Sequence, residues 1–338
     1  MTKVRRYRNP NQRLNRWAYL FIAPFIIGFL IFSLYPMISS IIISFQNEDN
    51  YDKIQNFTTF SNYSMILTDP YVSRRFYHSF INTFIIFGMN FIPQIIAALF
   101  FATIFSSKRI RMKGKGFFQF IYFLPNILTA SSVSVIFMIL FSKYDSNSGG
   151  PIFNLLVSMG MDPMDPSNNL LNNPWTTRII IAFIQFWMWF GNSMLVYIAG
   201  IKGISDEIFE AAELDGASHT RVFFDITLPI LKPIMIYSLI TSIIGGLQMF
   251  DIPYLMTGGE FQAPYPFYGL NGTETVSIFI YKEMIELGNL GVASAASVIL
   301  FLFSLSLSIV LYSTIFKEKN YKKRIERRML KYGDGSAT

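Results

Sequence analysis

Two sets of side chains in this sequence have the spacing to meet a polar solute on one helical face. Gln185, Trp189 and Asn192 stand at i, i+4 and i+7, and Ile244, Gln248 and Asp251 repeat the pattern. That period brings each trio to one side of a helix. Amides donate and accept, a carboxylate accepts, and an aromatic ring offers its face to C–H groups. A hydroxyl-rich ring such as a sugar asks for this combination. Trp187 adds a second indole, and Gly191 gives close access to the backbone. The same residues have packing uses as well: amides hydrogen-bond helices together in a membrane, and tryptophans anchor at its surfaces. Asp251 fits either solute contact or a solvated place near the outer interface. Spacing alone leaves both readings open.

Other chemistry finds little material. The chain has no cysteine and two histidines, His78 and His219, far apart in sequence. Thiolate nucleophiles, disulfides and His-based metal sites are therefore not expected. No clustered acid, base and nucleophile suggests an enzyme. No GxxxxGK[ST] phosphate loop is present, since Gly114 and Gly116 follow Met112 and Lys113 in a basic stretch. Any ATP used must be hydrolysed by another polypeptide, and no cofactor is expected on this one.

The elements that hold these residues are membrane spans. Of 338 residues, 52% are hydrophobic, 17% aromatic and only 14% charged, against about a quarter charged in soluble domains. Mean hydropathy is +0.38. A bilayer core roughly 30 Å thick needs about 20 apolar helical residues, and six stretches supply them: 17–45, 77–105, 117–141, 179–200, 234–256 and 290–316. The expected fold class is an all-α integral membrane protein with six transmembrane helices: a basic segment 1–16, a membrane domain 17–316 and a basic segment 317–338. The first stretch is too long for a signal-peptide core and reads as a retained anchor.

With these boundaries every Lys and Arg lies outside the spans, 22 in one set of alternate segments and 6 in the other. The positive-inside rule places both termini and loops 106–116 and 201–233 in the cytoplasm. The net charge of +7 then reads as topology signals beside anionic membrane lipid, with no nucleic-acid partner. Asp251 is the one Asp, Glu, Lys or Arg within a span. A proton-coupled carrier usually needs several such groups as a relay. A self-sufficient secondary carrier or channel for a polar solute stays as the alternative.

Loop 201–233 departs from this simplicity because it holds six acids. Ser205 can cap a helix whose first turn carries Asp206 and Glu207, favoured at the positive end of the helix dipole. Asp215-Gly216 offers a stop, and a second short segment ends at Pro229. Ile208, Phe209, Ala211, Ala212 and Leu214 are too apolar for a short helix facing only water. The helix needs a partner.

EAAELDGASHTRVFFDITLPILKP, Glu210 to Pro233, resembles the cytoplasmic Glu-Ala-Ala, Asp-Gly-Ala, Ile-x-Leu-Pro motif of the permease subunits of binding-protein-dependent ABC importers, in the carbohydrate branch typified by the maltose permeases. LFIAPFIIGFLIFSLYPMISSIIISF in span 1 and FDIPYLMTGG at the end of span 5 extend the resemblance over most of the chain. The family implies a type I importer fold in the bacterial cytoplasmic (inner) membrane. It implies a second, similar permease, two ATPase subunits that bind ATP and Mg2+, and an extracytoplasmic sugar-binding protein delivering a sugar or oligosaccharide. It also implies that the motif (Glu210, Ala211, Ala212, Asp215, Gly216, Ala217, Leu228 and Pro229) is a coupling helix docked in a cleft of the ATPase. Glu210 would meet a basic group there, Ala211 and Ala212 would permit close approach, and Gly216 would allow the bend.

Overall fold

The computed structural model describes residues 11–47, 55–57, 60–107, 112–145, 148–165, 168–171, 173–258 and 272–333. Residues 1–10 of the first basic segment, 108–111 of the basic loop and the last five residues lie outside them.

The first apolar stretch forms α1 (Asn11–Phe29) and α2 (Tyr35–Ile43), joined by a π-turn over Leu30–Leu34. Pro36 has no N–H and its ring crowds the preceding turn, and one widened turn accommodates it without ending the helix. A two-stranded ribbon, β1 (Gln46–Asn47) with β2 (Gln55–Phe57), and α3 (Ser61–Thr68) lead to α4 (Val72–Ser106). Asp69 accepts the free N–H groups of Tyr71 and Val72 and so opens α4 five residues before the expected start.

The third stretch is broken. α5 (Lys115–Phe123) passes through a 3₁₀ turn at Leu124–Ile127, and α6 (Ala130–Phe141) leaves at 92° to it. Pro125 removes one N–H, Leu128 and Thr129 are extended, and the Thr129 hydroxyl caps α6 by accepting from the Ser132 N–H. α7 (Pro151–Ser158) follows, then α8 (Pro174–Lys202), α9 (Asp206–Leu214) and α10 (His219–Arg221).

A π-turn at Val222–Thr227 joins α10 to α11 (Leu228–Leu247). The expected stop at Pro229 does not occur. Proline is tolerated in a first helical turn, and the π-turn ahead of it, closed by Leu228 N–H on the Phe223 carbonyl, carries the helix through. α12 (Asp251–Thr257), α13 (Val276–Tyr281) with a π-turn over Lys282–Glu286, and α14 (Leu290–Gly333) complete the chain. α14 runs well past 316, so the described part of the last basic segment is helical.

Among the described residues five helical stretches are long and apolar enough to cross a membrane, and there are six if the bent α5–α6 pair is one span. Among the described residues the fold is helical apart from the ribbon and a bridge between Lys143 and Gly149. α4 and α8 form its axis. Ala98 and Ala102 let α4 approach Met194, Tyr197 and Ile198 of α8, with Leu231 of α11 completing this buried cluster. A second cluster joins Ile86 of α4, Val133 of α6, Ile184 and Met188 of α8, and Ile252 of α12. Small residues earn their places where helices cross: a Cβ on Gly191 would lie 2.0 Å from the Tyr122 carbonyl oxygen, and one on Gly246 would lie 2.1 Å from the Phe87 ring.

Candidate functional site

The motif loop is a short helix closed at both ends by its own backbone. Ser205 occupies the N-cap with extended geometry, although its hydroxyl makes no capping bond, and Asp206 and Glu207 fill the first turn. At the other end Gly216 adopts φ +70°, its N–H reaching the Glu213 carbonyl at 3.0 Å while Ala217 N–H reaches Ala212 at 3.0 Å. This paired closure needs a left-handed residue, which glycine supplies without a Cβ penalty. Asp215 is the last residue before that turn.

The two faces of α9 differ. Phe209 packs against the cluster of Met194, Tyr197, Ile201 and Leu231, and Ala212 is buried. Glu210, Ala211 and Glu213 are exposed, and Leu214 is 90% exposed. The two alanines of the motif therefore separate: Ala211 faces outward, whereas Ala212 lies against the chain's own core. In α10, the Ser218 hydroxyl accepts from Arg221 N–H, and Arg221 and Asp225 form an exposed pair at 3.4 Å. Leu228 is partly buried and Pro229 exposed in the first turn of α11. Phe224 projects outward beside them, 57% exposed.

The solute-facing candidates divide likewise. Gln185 is buried, accepting from Asn90 Nδ2 at 2.6 Å and turning its own Nε2 toward the Met249 sulfur at 3.7 Å. It joins α4, α8 and the segment after α11. Trp187 is partly buried in the second cluster, its ring 5.8 Å from Phe137, and Gly191 lies against the α5 backbone. Trp189 and Asn192 are exposed on the outside of this single chain.

Gln248 and Asp251 are also exposed, but not on one helical face. α11 ends at Leu247, and Gln248, Met249 and Phe250 separate it from α12. The helical period that aligned Ile244, Gln248 and Asp251 is lost there. Gly245 and Gly246 weaken the helix just before the break, and the Thr275 hydroxyl donates to the freed Met249 carbonyl at 2.8 Å. Asp251 starts α12, next to a cluster of Phe250, Tyr254 and Tyr281 with ring centroids 4.8 to 5.2 Å apart.

One buried polar network has no local signature in the sequence. Arg75 Nε and Nη2 donate to Glu274, the shortest contact 2.5 Å, and Nη1 donates to Glu283 at 2.7 Å. Asn289 donates to the second Glu283 oxygen at 2.9 Å. Arg178, stacked over Trp175, bridges the Asn82 side chain and the Gly272 carbonyl. The start of α4, the start of α8 and the segment around α13 are thereby tied together. Arg75 was legible as a cation next to a span, but its carboxylate partners lie 199 and 208 residues further along.

Comparison with known proteins agrees with this architecture. Residues 94–317 match the family described as "Binding-protein-dependent transport system inner membrane component". An arabinooligosaccharides transport system permease protein, AraP of Bacillus subtilis, is 30% identical over 296 residues, 86% of each chain. A lactose transport system permease protein, LacF of Rhizobium radiobacter, is 30% identical over 271 residues, covering 80% of this chain and 83% of that one. Among solved structures, a bacterial ABC transporter for import of the acidic polysaccharide alginate contains a chain with TM-score 0.73 and 22% identity, the match covering 89% of this chain and 96% of that one. A second alginate transporter structure, in complex with an alginate pentasaccharide-bound periplasmic protein, gives TM-score 0.70 at 22% identity over 89% and 95% of the two chains. The chain is a multi-pass membrane protein and belongs to the family of inner-membrane components of binding-protein-dependent transport systems.

Proposed function

We propose that this chain is the transmembrane subunit of an ATP-driven importer for a sugar or oligosaccharide. It pairs with a second, similar permease, two ATPase subunits dock beneath it, and an extracytoplasmic binding protein delivers the solute. ATP and Mg2+ belong to the ATPases, and both termini lie in the cytoplasm. Relatives named for arabinooligosaccharides and lactose support a carbohydrate as cargo.

The observation that carries the coupling role is the two-faced α9. Its outer face presents Glu210, Ala211 and the almost fully exposed Leu214, an acidic and apolar surface that invites a partner with a basic, apolar cleft. Its inner face inserts Phe209 into the core between α4, α8 and α11. Movement of an ATPase cleft would thus reach α8 and α11 through a packed side chain, and packed interfaces switch between discrete arrangements more readily than they deform. Those two helices bear Trp189 and Asn192 on one side and lead to Gln248 and Asp251 on the other. All four are exposed and so available to line a path shared with the second permease. Gln185, Trp187 and Gly191 support that wall from behind.

The test is reconstitution of the chain with its second permease, ATPase and binding protein. Uptake of a labelled oligosaccharide should require ATP. Glu210→Lys or Phe209→Ala should leave the complex inserted but reduce uptake per ATP hydrolysed by about tenfold, a loss of roughly 1.4 kcal/mol of coupling. Normal coupling in both variants would remove the assigned role of α9. Uptake without any ATPase subunit would favour a secondary carrier or channel.

A further inference from the structure

A groove of about 730 Å³ lies on the outside of the bundle between α3, α4 and α14. Ser73 and Arg74 stand at one end, Phe80 and Ile85 continue along α4, and Ile66 and Ile299 form the opposite wall. Apart from the Ser73–Arg74 mouth and the Tyr77 rim, its lining is apolar. Arg74 to Ile85 spans roughly 16 Å of helix at about 1.5 Å per residue. That is close to half of a hydrocarbon core about 30 Å thick. The groove is therefore one leaflet deep.

The two neighbouring arginines differ. Arg75 is buried and held by two carboxylates, whereas Arg74 is exposed and makes no hydrogen bond or ion pair among the described residues. A cation at the interface, above an apolar slot one leaflet deep, matches an amphiphile with an anionic head and a hydrocarbon tail. A membrane-spanning helix from another subunit would cross the full membrane thickness, about twice the depth of the groove.

We propose that this groove binds one anionic glycerophospholipid of the extracytoplasmic leaflet, with an acyl chain along Phe80 and Ile85 and the phosphate on Arg74. The leaflet rests on the orientation given under Proposed function; the lipid chemistry does not. The complete transporter, purified with its partner subunits, would be titrated with phosphatidylglycerol or phosphatidylcholine and its bound lipids counted by native mass spectrometry. Wild type should retain one phosphatidylglycerol in preference to phosphatidylcholine. Arg74→Gln should weaken that retention roughly fivefold, the worth of one cation near an anionic surface, and Ile81→Trp, which fills the groove, should abolish it.

Arg74 is exposed, so its replacement spares the fold. Unchanged retention in both variants, or equal retention of the two lipids, would overturn the proposal. So would a photoreactive residue at position 81 that captures the second permease in place of lipid. Ser73→Cys tests the leaflet separately: it should react with an impermeant thiol reagent from outside, and reaction only from the cytoplasmic side would overturn the leaflet assignment.

Discussion

At the scale of single residues, burial separates side chains that look alike in sequence. Gln185 and Asn192 share a helical face by spacing, yet Gln185 is occupied by Asn90 while Asn192 is exposed. Gln185→Leu should destabilise the purified complex by about 1 kcal/mol, because it leaves the Asn90 amide without its acceptor. Adding Asn90→Leu should recover most of that loss in a thermal-unfolding double-mutant cycle. A changed ranking among transported sugars with no loss of stability would instead show that Gln185 touches solute. Arg75 carries more. Replacing it by Met removes the buried cation that holds Glu274 and Glu283, a charge imbalance that costs on the order of 3–5 kcal/mol. Thermal scans of the complex should show Arg75→Met far below wild type and Arg74→Met beside it. Spacing could place Gln185 on a helix face, but whether that face meets water or another helix depends on contacts distant in sequence. The arginine cluster was hidden for the same reason.

At the scale of elements, what was legible depended on how local the cause was. The α9 turn could be read because its first-turn acids, its apolar residues and its stop all lie within a dozen residues of one another. Its Gly216 closure supports a sharp expectation: Gly216→Asn, which tolerates left-handed geometry, should retain coupling, whereas Gly216→Val should lose it, since a β-branched residue at φ +70° is strained by roughly 1–2 kcal/mol. The check is ATPase activity stimulated by loaded binding protein, measured for both variants. Equal activity would mean that the turn can be rebuilt without its left-handed residue. The interruptions of the spans were harder to read. The third stretch reads as one continuous span, 117–141, whereas its 92° bend follows from Pro125, two extended residues and the cap at Thr129. Pro229 announced a stop that the preceding π-turn removed. The break after Leu247 had only Gly245 and Gly246 as a local sign. Its stabilising partner, Thr275, comes from beyond the next helix.

At the scale of the whole molecule, the first span shows what a single chain leaves unfinished. Ala18–Ile43 is apolar throughout, and no residue of its most apolar window is buried within the chain. In a membrane such a helix incurs no penalty against lipid, and it is free to pack on another subunit. Orientation is expected from a different property, the segregation of cations, through a rule that counts residues and does not depend on how they pack. α4 and α8 begin earlier than hydropathy suggested, taking Arg74 and Arg75 into α4 and Arg178 into α8. Even so, the basic residues 322, 323, 324, 327 and 328 remain grouped at one end of the chain. Since the chain has no cysteine of its own, single cysteines can report orientation without background. Ser148 and Ser218 are both exposed, the first in the segment before α7 and the second between α9 and α10. With both termini inside, Ser148→Cys should react with an impermeant maleimide in intact cells or spheroplasts, and Ser218→Cys only after permeabilisation. The reverse result would put α9 on the outer side, beyond reach of any cytoplasmic ATPase, and the coupling role would fall together with the topology.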